Sequence, residues 1–121
     1  MQILNFTPHP INIICGTSVI FKQELKKYVS TEPKIIKTIE SSGMLSVKYE
    51  ICNGTSIDGI PIRIKKMIGI DPIPQGADIA IVSGMYASAT KDDRAYSIID
   101  PVFEKTGKRV IGSLGIGKVN N

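Results

Sequence analysis

Apolar positions recur mostly at every second residue in this chain, in runs too short for helices and separated by turn-forming residues. Residues 2–6 alternate weakly and stop at Thr7-Pro8-His9-Pro10, whose prolines cannot continue a hydrogen-bonded ladder. Residues 11–15 read as a second strand, Gly16-Thr17 as a turn, and 18–21 as further β structure. Residues 44–52 place Leu45, Val47, Tyr49 and Ile51 on one face, the clearest strand pattern present. Asn53-Gly54 and Asp58-Gly59 mark turns, and 60–64 reads as an edge or bulged strand around Pro61. Asp71-Pro72-Ile73-Pro74-Gln75-Gly76 is a rigid loop. Residues 78–82 form a short, nearly all-apolar strand, which implies burial on both faces.

The period changes after Ser83. A hydroxyl cap precedes the Ala-rich 84–91, with Met85 and Ala89 four apart, so this segment is the most helical in the chain. A strand running straight into a helix leaves the first helical N–H groups facing one end, where an anion would be welcome. Residues 96–103 are extended around Asp100-Pro101, Thr106-Gly107 turns the chain, and 108–111 precede a Gly-rich tail. Residues 22–42 fit two descriptions. Ser30-Thr31-Glu32-Pro33 resembles a helix start followed by Ile35, Ile36 and Ile39 at helical spacing, yet 34–40 is β-branched enough for a strand. The expected architecture is a single α+β domain spanning 1–121, with a predominantly antiparallel β-core and one or two short helices.

Composition narrows the classes. With 121 residues, no Trp and few aromatics, the core is modest, and a partner subunit is a reasonable expectation. The net charge of +4 describes either a solvated Lys-rich surface or an anion-binding patch. Of the fifteen basic residues only Arg63, Arg94 and Arg109 are arginines, the better rigid forks for phosphate. Cys15 and Cys52 lie in or beside apolar runs and read as free thiols of a reducing cytosol. The N-terminus has no basic flank and no apolar run is long enough for a bilayer, so a cytoplasmic protein without membrane contact is expected.

Catalytic chemistry finds little footing. His9, the sole histidine, has no orienting carboxylate near it in sequence and cannot complete a zinc site. Asp92-Asp93 reads as a solvated helix end, while Asp58 and Asp71 serve turns. Neither a nucleophile elbow nor a phosphate-binding or dinucleotide glycine pattern occurs. No catalytic residue, metal or cofactor is therefore expected. Binding is better supplied: Arg109 beside the Gly107 turn, Tyr86 and Met85 in the first helical turn, and Phe103 by Asp100-Pro101. Taken alone, Arg109 also reads as surface charge and Tyr86 as core.

Four short blocks, in order, resemble the Thoeris anti-defence protein 1 family. They are Leu4-Asn5-Phe6-Thr7-Pro8-His9-Pro10-Ile11, Asp58-Gly59-Ile60-Pro61-Ile62, Ile79-Ala80-Ile81-Val82-Ser83 with Tyr86-Ala87-Ser88-Ala89, and Lys108-Arg109-Val110-Ile111-Gly112. The resemblance implies a phage protein of the infected host's cytosol that sequesters glycocyclic ADP-ribose, the TIR-derived Thoeris signal, without cleaving it. Some members also hold cyclic di- or trinucleotides. It further implies a dimer or higher homo-oligomer with pockets where subunits meet. On this basis Arg109 is the expected phosphate partner; Arg63 and Arg94 are cations to watch only because they are the other two arginines. Ser83, Gly84 and Met85 would present helix-start N–H groups, Tyr86 or Phe103 would stack the base, and Asn5, Thr7 or His9 would add polar edges. The Lys-rich 22–33 is longer than the family's short turn, and reads as an extra helix or a flap whose Tyr28 replaces another aromatic. The alternatives are a phage accessory protein binding nucleic acid non-specifically, and a hydrolase of the same signal.

Overall fold

Ten strands and one α-helix make up the described part of the chain. The structure, a computed structural model, describes residues 1–118. In chain order the strands are β1 (Ile3–Asn5), β2 (Ile11–Ile14), β3 (Ile20–Lys22), β4 (Lys27–Val29), β5 (Ile35–Ile39), β6 (Val47–Asn53), β7 (Arg63–Ile70), β8 (Ile79–Ile81), β9 (Ala95–Phe103) and β10 (Val110–Gly117). The helix α1 (Gly84–Ala89) sits between β8 and β9.

The central sheet runs β1-β8-β9-β10-β2-β5 and nearly closes on itself. Closure comes from Asn5, which bridges to Ser41 just beyond β5, with the Ser42 N–H donating to the Asn5 carbonyl at 2.7 Å. A barrel-like sheet of this kind leaves no free edge at the seam. Its longer ladders are antiparallel, in keeping with the expected predominantly antiparallel core, and short parallel ladders join them. The long β9–β10 and β2–β5 ladders are antiparallel, whereas β1–β8, β8–β9 and β10–β2 are parallel. Parallel neighbours bury both faces of the middle strand. That accounts for β8, where Ala80 and Ile81 point to opposite faces and both are fully buried.

Residues 22–42 contain no helix. The β-branched Ile35–Ile39 pairs with β2 over Ile11–Ile14, so tertiary pairing overrides the helical spacing of its isoleucines. The Lys-rich segment forms the β3–β4 hairpin, with Lys26 at a positive φ of 53° in its turn. It docks by a short parallel ladder of β4 on β9. Tyr28 packs edge-on against Phe21 of the same hairpin, 5.1 Å between ring centres.

The main apolar cluster lies where α1 and the 71–77 loop cover the sheet: Phe6, Ile73, Ala80, Val82, Tyr86 and Ala95. Arg94 holds that loop. Its guanidinium donates to the carbonyls of Ile73, Pro74 and Ala77 at 2.9–3.1 Å and pairs with Asp92 at 2.8 Å. This hydrogen-bonded pairing lowers the Asp92 pKa. The second sheet, β6–β7, is a two-stranded antiparallel arm that pairs with no other strand among the described residues.

Candidate functional site

Three chain segments meet at one end of the barrel and enclose a cleft of about 730 Å³. The Thr7–Asn12 connection between β1 and β2 forms one wall. Val82, Ser83 and Gly84, where β8 becomes α1, form a second. Arg109–Ser113 at the start of β10 forms the third, with Ser97 and Ile98 of β9 beside it. The volume falls within the ~300–1,000 Å³ range of small-molecule sites.

Each wall has an identifiable cause. The Pro8-His9-Pro10 loop is fixed from beneath by Asn5, which is 0% exposed. Its side-chain amide donates to the carbonyls of His9 at 2.8 Å and Ile39 at 3.0 Å. Its side-chain oxygen accepts from the Thr7 N–H at 2.9 Å and from the Thr7 hydroxyl at 2.6 Å. The third wall needs Gly112. A Cβ there would meet the Asn12 carbonyl oxygen at 2.6 Å and the Ile14 side chain at 2.5 Å, so β10 approaches β2 this closely only without a side chain. Glu104 organises the turn leading to Arg109. Its carboxylate accepts from the backbone N–H of Thr106 and Lys108 and from the Thr106 hydroxyl, and these bonds hold its pKa at about 2. Its backbone N–H donates to the Arg109 carbonyl at 2.9 Å.

The electrostatics favour an anion. Among the described residues no Asp or Glu lines the cleft, and its cation is Arg109. Arg109 is exposed, and among the described residues its guanidinium has neither a carboxylate partner nor a hydrogen bond. Ser83 and Gly84 are exposed at the second wall. The Ser83 hydroxyl accepts from the Tyr86 N–H at 3.2 Å and keeps its own proton to donate outward. With six residues, α1 carries only a small dipole, so it contributes individual N–H groups rather than a strong field.

Of the residues expected from sequence, Thr7, His9, Ser83, Gly84 and Arg109 converge on this cleft. Five others lie elsewhere. Tyr86 is a core residue, 1% exposed, with its hydroxyl donating to the Asp71 carbonyl and its pKa raised by burial. It has no free face for stacking. Phe103 sits under the Lys27 ammonium, 4.4 Å from ring centre to nitrogen, outside the cleft. Asn5 is saturated by internal bonds and acts as a brace. Met85 borders a smaller neighbouring pocket of about 230 Å³ with Phe6, Met44 and Leu45. Arg63 belongs to the β6–β7 arm.

The cleft also contains residues that the sequence reading passed over: Asn12, Ser97, Ile98 and Ser113. Asn12 carried a signal, as the polar interruption of an otherwise apolar strand. Its amide donates to the Ile111 carbonyl at 3.3 Å and its oxygen accepts from Thr38 at 2.8 Å. The ring face available at the cleft is the His9 imidazole, flanked by Pro8 and Pro10, because no Phe, Tyr or Trp lines it. No cluster of three or more His, Cys, Asp or Glu suited to a metal ion is present among the described residues. No described helix is long and apolar enough to cross a membrane.

Fold and site together define a small, mostly β protein with a nearly closed barrel-like sheet and an acid-free cleft at one rim. No family model matches the chain, and neither a curated protein nor a solved structure matches it.

Proposed function

We propose that this protein captures a small anionic nucleotide, of the cyclised ADP-ribose class, in the rim cleft and holds it without chemical change. The observation that carries this reading is Arg109, whose guanidinium has no partner among the described residues, at the edge of a cleft whose described lining holds no carboxylate. A planar fork left unpaired beside apolar walls suits a phosphate, which it can grip through two N–H bonds. Exposed Ser83 and Gly84 supply further donors, and the Pro8-His9-Pro10 ridge with Ile98 and Val110 supplies a flat, largely apolar face for a base. A ring-closed ligand suits sequestration, because it has less conformational entropy to lose than a linear one. The resemblance of the four sequence blocks to the Thoeris anti-defence protein 1 family supports the same ligand class and an anti-defence role in phage-infected cells.

Titration calorimetry with glycocyclic ADP-ribose, linear ADP-ribose and a cyclic dinucleotide tests the reading. Heating the complex and recovering the ligand then separates capture from hydrolysis. Tight binding of the cyclised ligand and its intact release are expected. Arg109→Ala should weaken binding by about 2–4 kcal/mol, roughly 30- to 1,000-fold, with the melting temperature unchanged. Equal binding by the variant would remove the cleft assignment. Recovery of a cut ligand would make the protein an enzyme. Affinity for nucleic acid alone, falling steeply with salt, would favour the accessory-protein alternative.

A further inference from the structure

Arg109 has no partner among the described residues to aim its guanidinium, so only the backbone beneath it decides where that group points. The backbone in question is the turn from Glu104 to Arg109. Glu104 bonds it from inside, but its outer side rests on another element, the β3–β4 hairpin, none of whose residues lines the cleft. Lys105, Thr106, Lys108 and Arg109 are exposed, whereas Gly107 between them is buried under the hairpin. Two hairpin side chains make this contact. Leu25 approaches so closely that a Cβ on Gly107 would lie 2.6 Å from its Cδ1. Gly107 also has a φ of 76°, so the conformation and the approach both call for glycine. Lys27 makes the second contact. Its ammonium donates to the Gly107 carbonyl at 2.9 Å and lies 4.4 Å from the centre of the Phe103 ring. One cation thereby ties the end of β9 to a point two residues before Arg109. The hairpin is itself fixed to the barrel: Val29 is buried, β4 pairs with β9 at Val102 and Phe103, and the Ser30 N–H donates to the Phe103 carbonyl at 3.0 Å.

We infer that the β3–β4 hairpin is a buttress that presets Arg109 for its anion, and that Lys27 is the positioning residue through which it acts. A loose turn has to be ordered when the anion arrives, and that ordering weakens binding; a turn already held avoids the loss. Lys27 is not a second anion contact, because its ammonium is committed to Gly107 and Phe103 and stands outside the cleft lining. The same arrangement explains why the Phe103 ring carries a cation on its face. This inference rests on reading the cleft as an anion site, and its test separates the two.

The experiment is a double-variant cycle, read by titration calorimetry with glycocyclic ADP-ribose. Lys27→Met keeps an apolar stem over Phe103 and removes the ammonium. It should raise Kd about tenfold, the scale of ordering one or two long side chains. In an Arg109→Ala background the same change should move Kd by less than about twofold, since nothing remains to be aimed. Lys27→Arg, which can again donate to Gly107 and cover Phe103, should restore native affinity. Lys22→Met removes an equal charge from the exposed position paired with Lys27, and should leave Kd within about twofold. Without ligand, protection of the Gly107 amide, which donates to the Glu104 carbonyl at 2.8 Å, should fall in Lys27→Met and return in Lys27→Arg. Native affinity in Lys27→Met, an equal loss with and without Arg109, or no rescue by Lys27→Arg would each overturn the inference while leaving the cleft reading in place. A native chain that does not bind the ligand would remove both.

Discussion

Replacing Asn5 is the sharpest test of how the cleft is built. Its side chain makes four hydrogen bonds from a fully buried position: two donated, to the His9 and Ile39 carbonyls, and two accepted, both from Thr7. Asn5→Leu keeps the branched shape, though with bulkier methyl ends, and removes all four bonds, leaving buried donors and acceptors without partners. At about 1 kcal/mol per lost bond, more where the abandoned group stays dry, the cost is about 3–5 kcal/mol. For a chain of this size that lowers the melting temperature by roughly 10–25 °C. Asn5→Asp is the more discriminating variant. It retains the two bonds from Thr7 but turns an oxygen toward two carbonyl oxygens, so the native state favours the protonated acid. The folded pKa therefore rises above the unfolded value of about 3.9. Below that value both states are protonated, and the variant lacks little more than one bond. As pH rises past it the unfolded state releases its proton while the native state keeps it, so stability falls by about 1.4 kcal/mol per pH unit until the folded pKa is reached. Urea unfolding of Asn5→Asp against wild type at pH 3.5, 5 and 7 measures the difference directly. A difference that stays flat with pH would show that the two carbonyls do not face this side chain, and the bracing argument would fail.

Two further outcomes follow from the same walls. Gly112→Ala places a methyl group 2.6 Å from the Asn12 backbone oxygen, so β10 must move off β2; a loss of about 1–3 kcal/mol is expected, together with weaker ligand binding, read by thermal melting and calorimetry. Glu104, with its pKa held near 2, stabilises the turn before Arg109 fully above its unfolded pKa near 4.5 and loses that effect as pH falls toward 2. Protection of the Thr106 and Lys108 amides, taken relative to the intrinsic exchange rate at each pH, should therefore fall over that window in wild type and stay level in Glu104→Gln.

Much of the strand pattern was legible because alternation and turn chemistry are local. Met44–Cys52 announced β6, Asp78–Val82 announced β8 by its unbroken apolar run, and Ser83 announced the start of α1 by its capping hydroxyl. What the chain did not show was pairing partners. The parallel contacts of β1 with β8 and β2 with β10 join segments about 75 and 100 residues apart, and no local propensity encodes them. For the same reason Ile35–Ile39 resisted assignment until β2 supplied its ladder. At the site, residues near turns were placed well. Thr7, His9, Ser83, Gly84 and Arg109 sit where strands end, and strand ends on one rim of a barrel converge. The aromatic assignments failed on a different ground. Tyr86 and Phe103 lie in regular elements, and which face of an element is covered depends on packing: Tyr86 was claimed by the core and Phe103 by Lys27.

The same distinction divides the cleft's polar groups into framework and free ends. Thr7 spends its hydroxyl on Asn5 and on the His9 carbonyl, Asn12 on Ile111 and Thr38, and Ser113 on Gly115. Arg109 spends its guanidinium on nothing within the described chain. Substituting a framework group must therefore change stability and affinity together, since the wall it holds is the wall the ligand meets. Substituting Arg109 separates the two, because the folded chain loses no contact and only a bound anion loses its partner. A set of variants in which melting temperature and Kd move together at Asn5 and Gly112, but Kd alone moves at Arg109, is the signature of a preformed anion cleft. Joint movement at Arg109 would mean that this guanidinium braces the barrel, and that the charge of the rim belongs to folding rather than to a ligand.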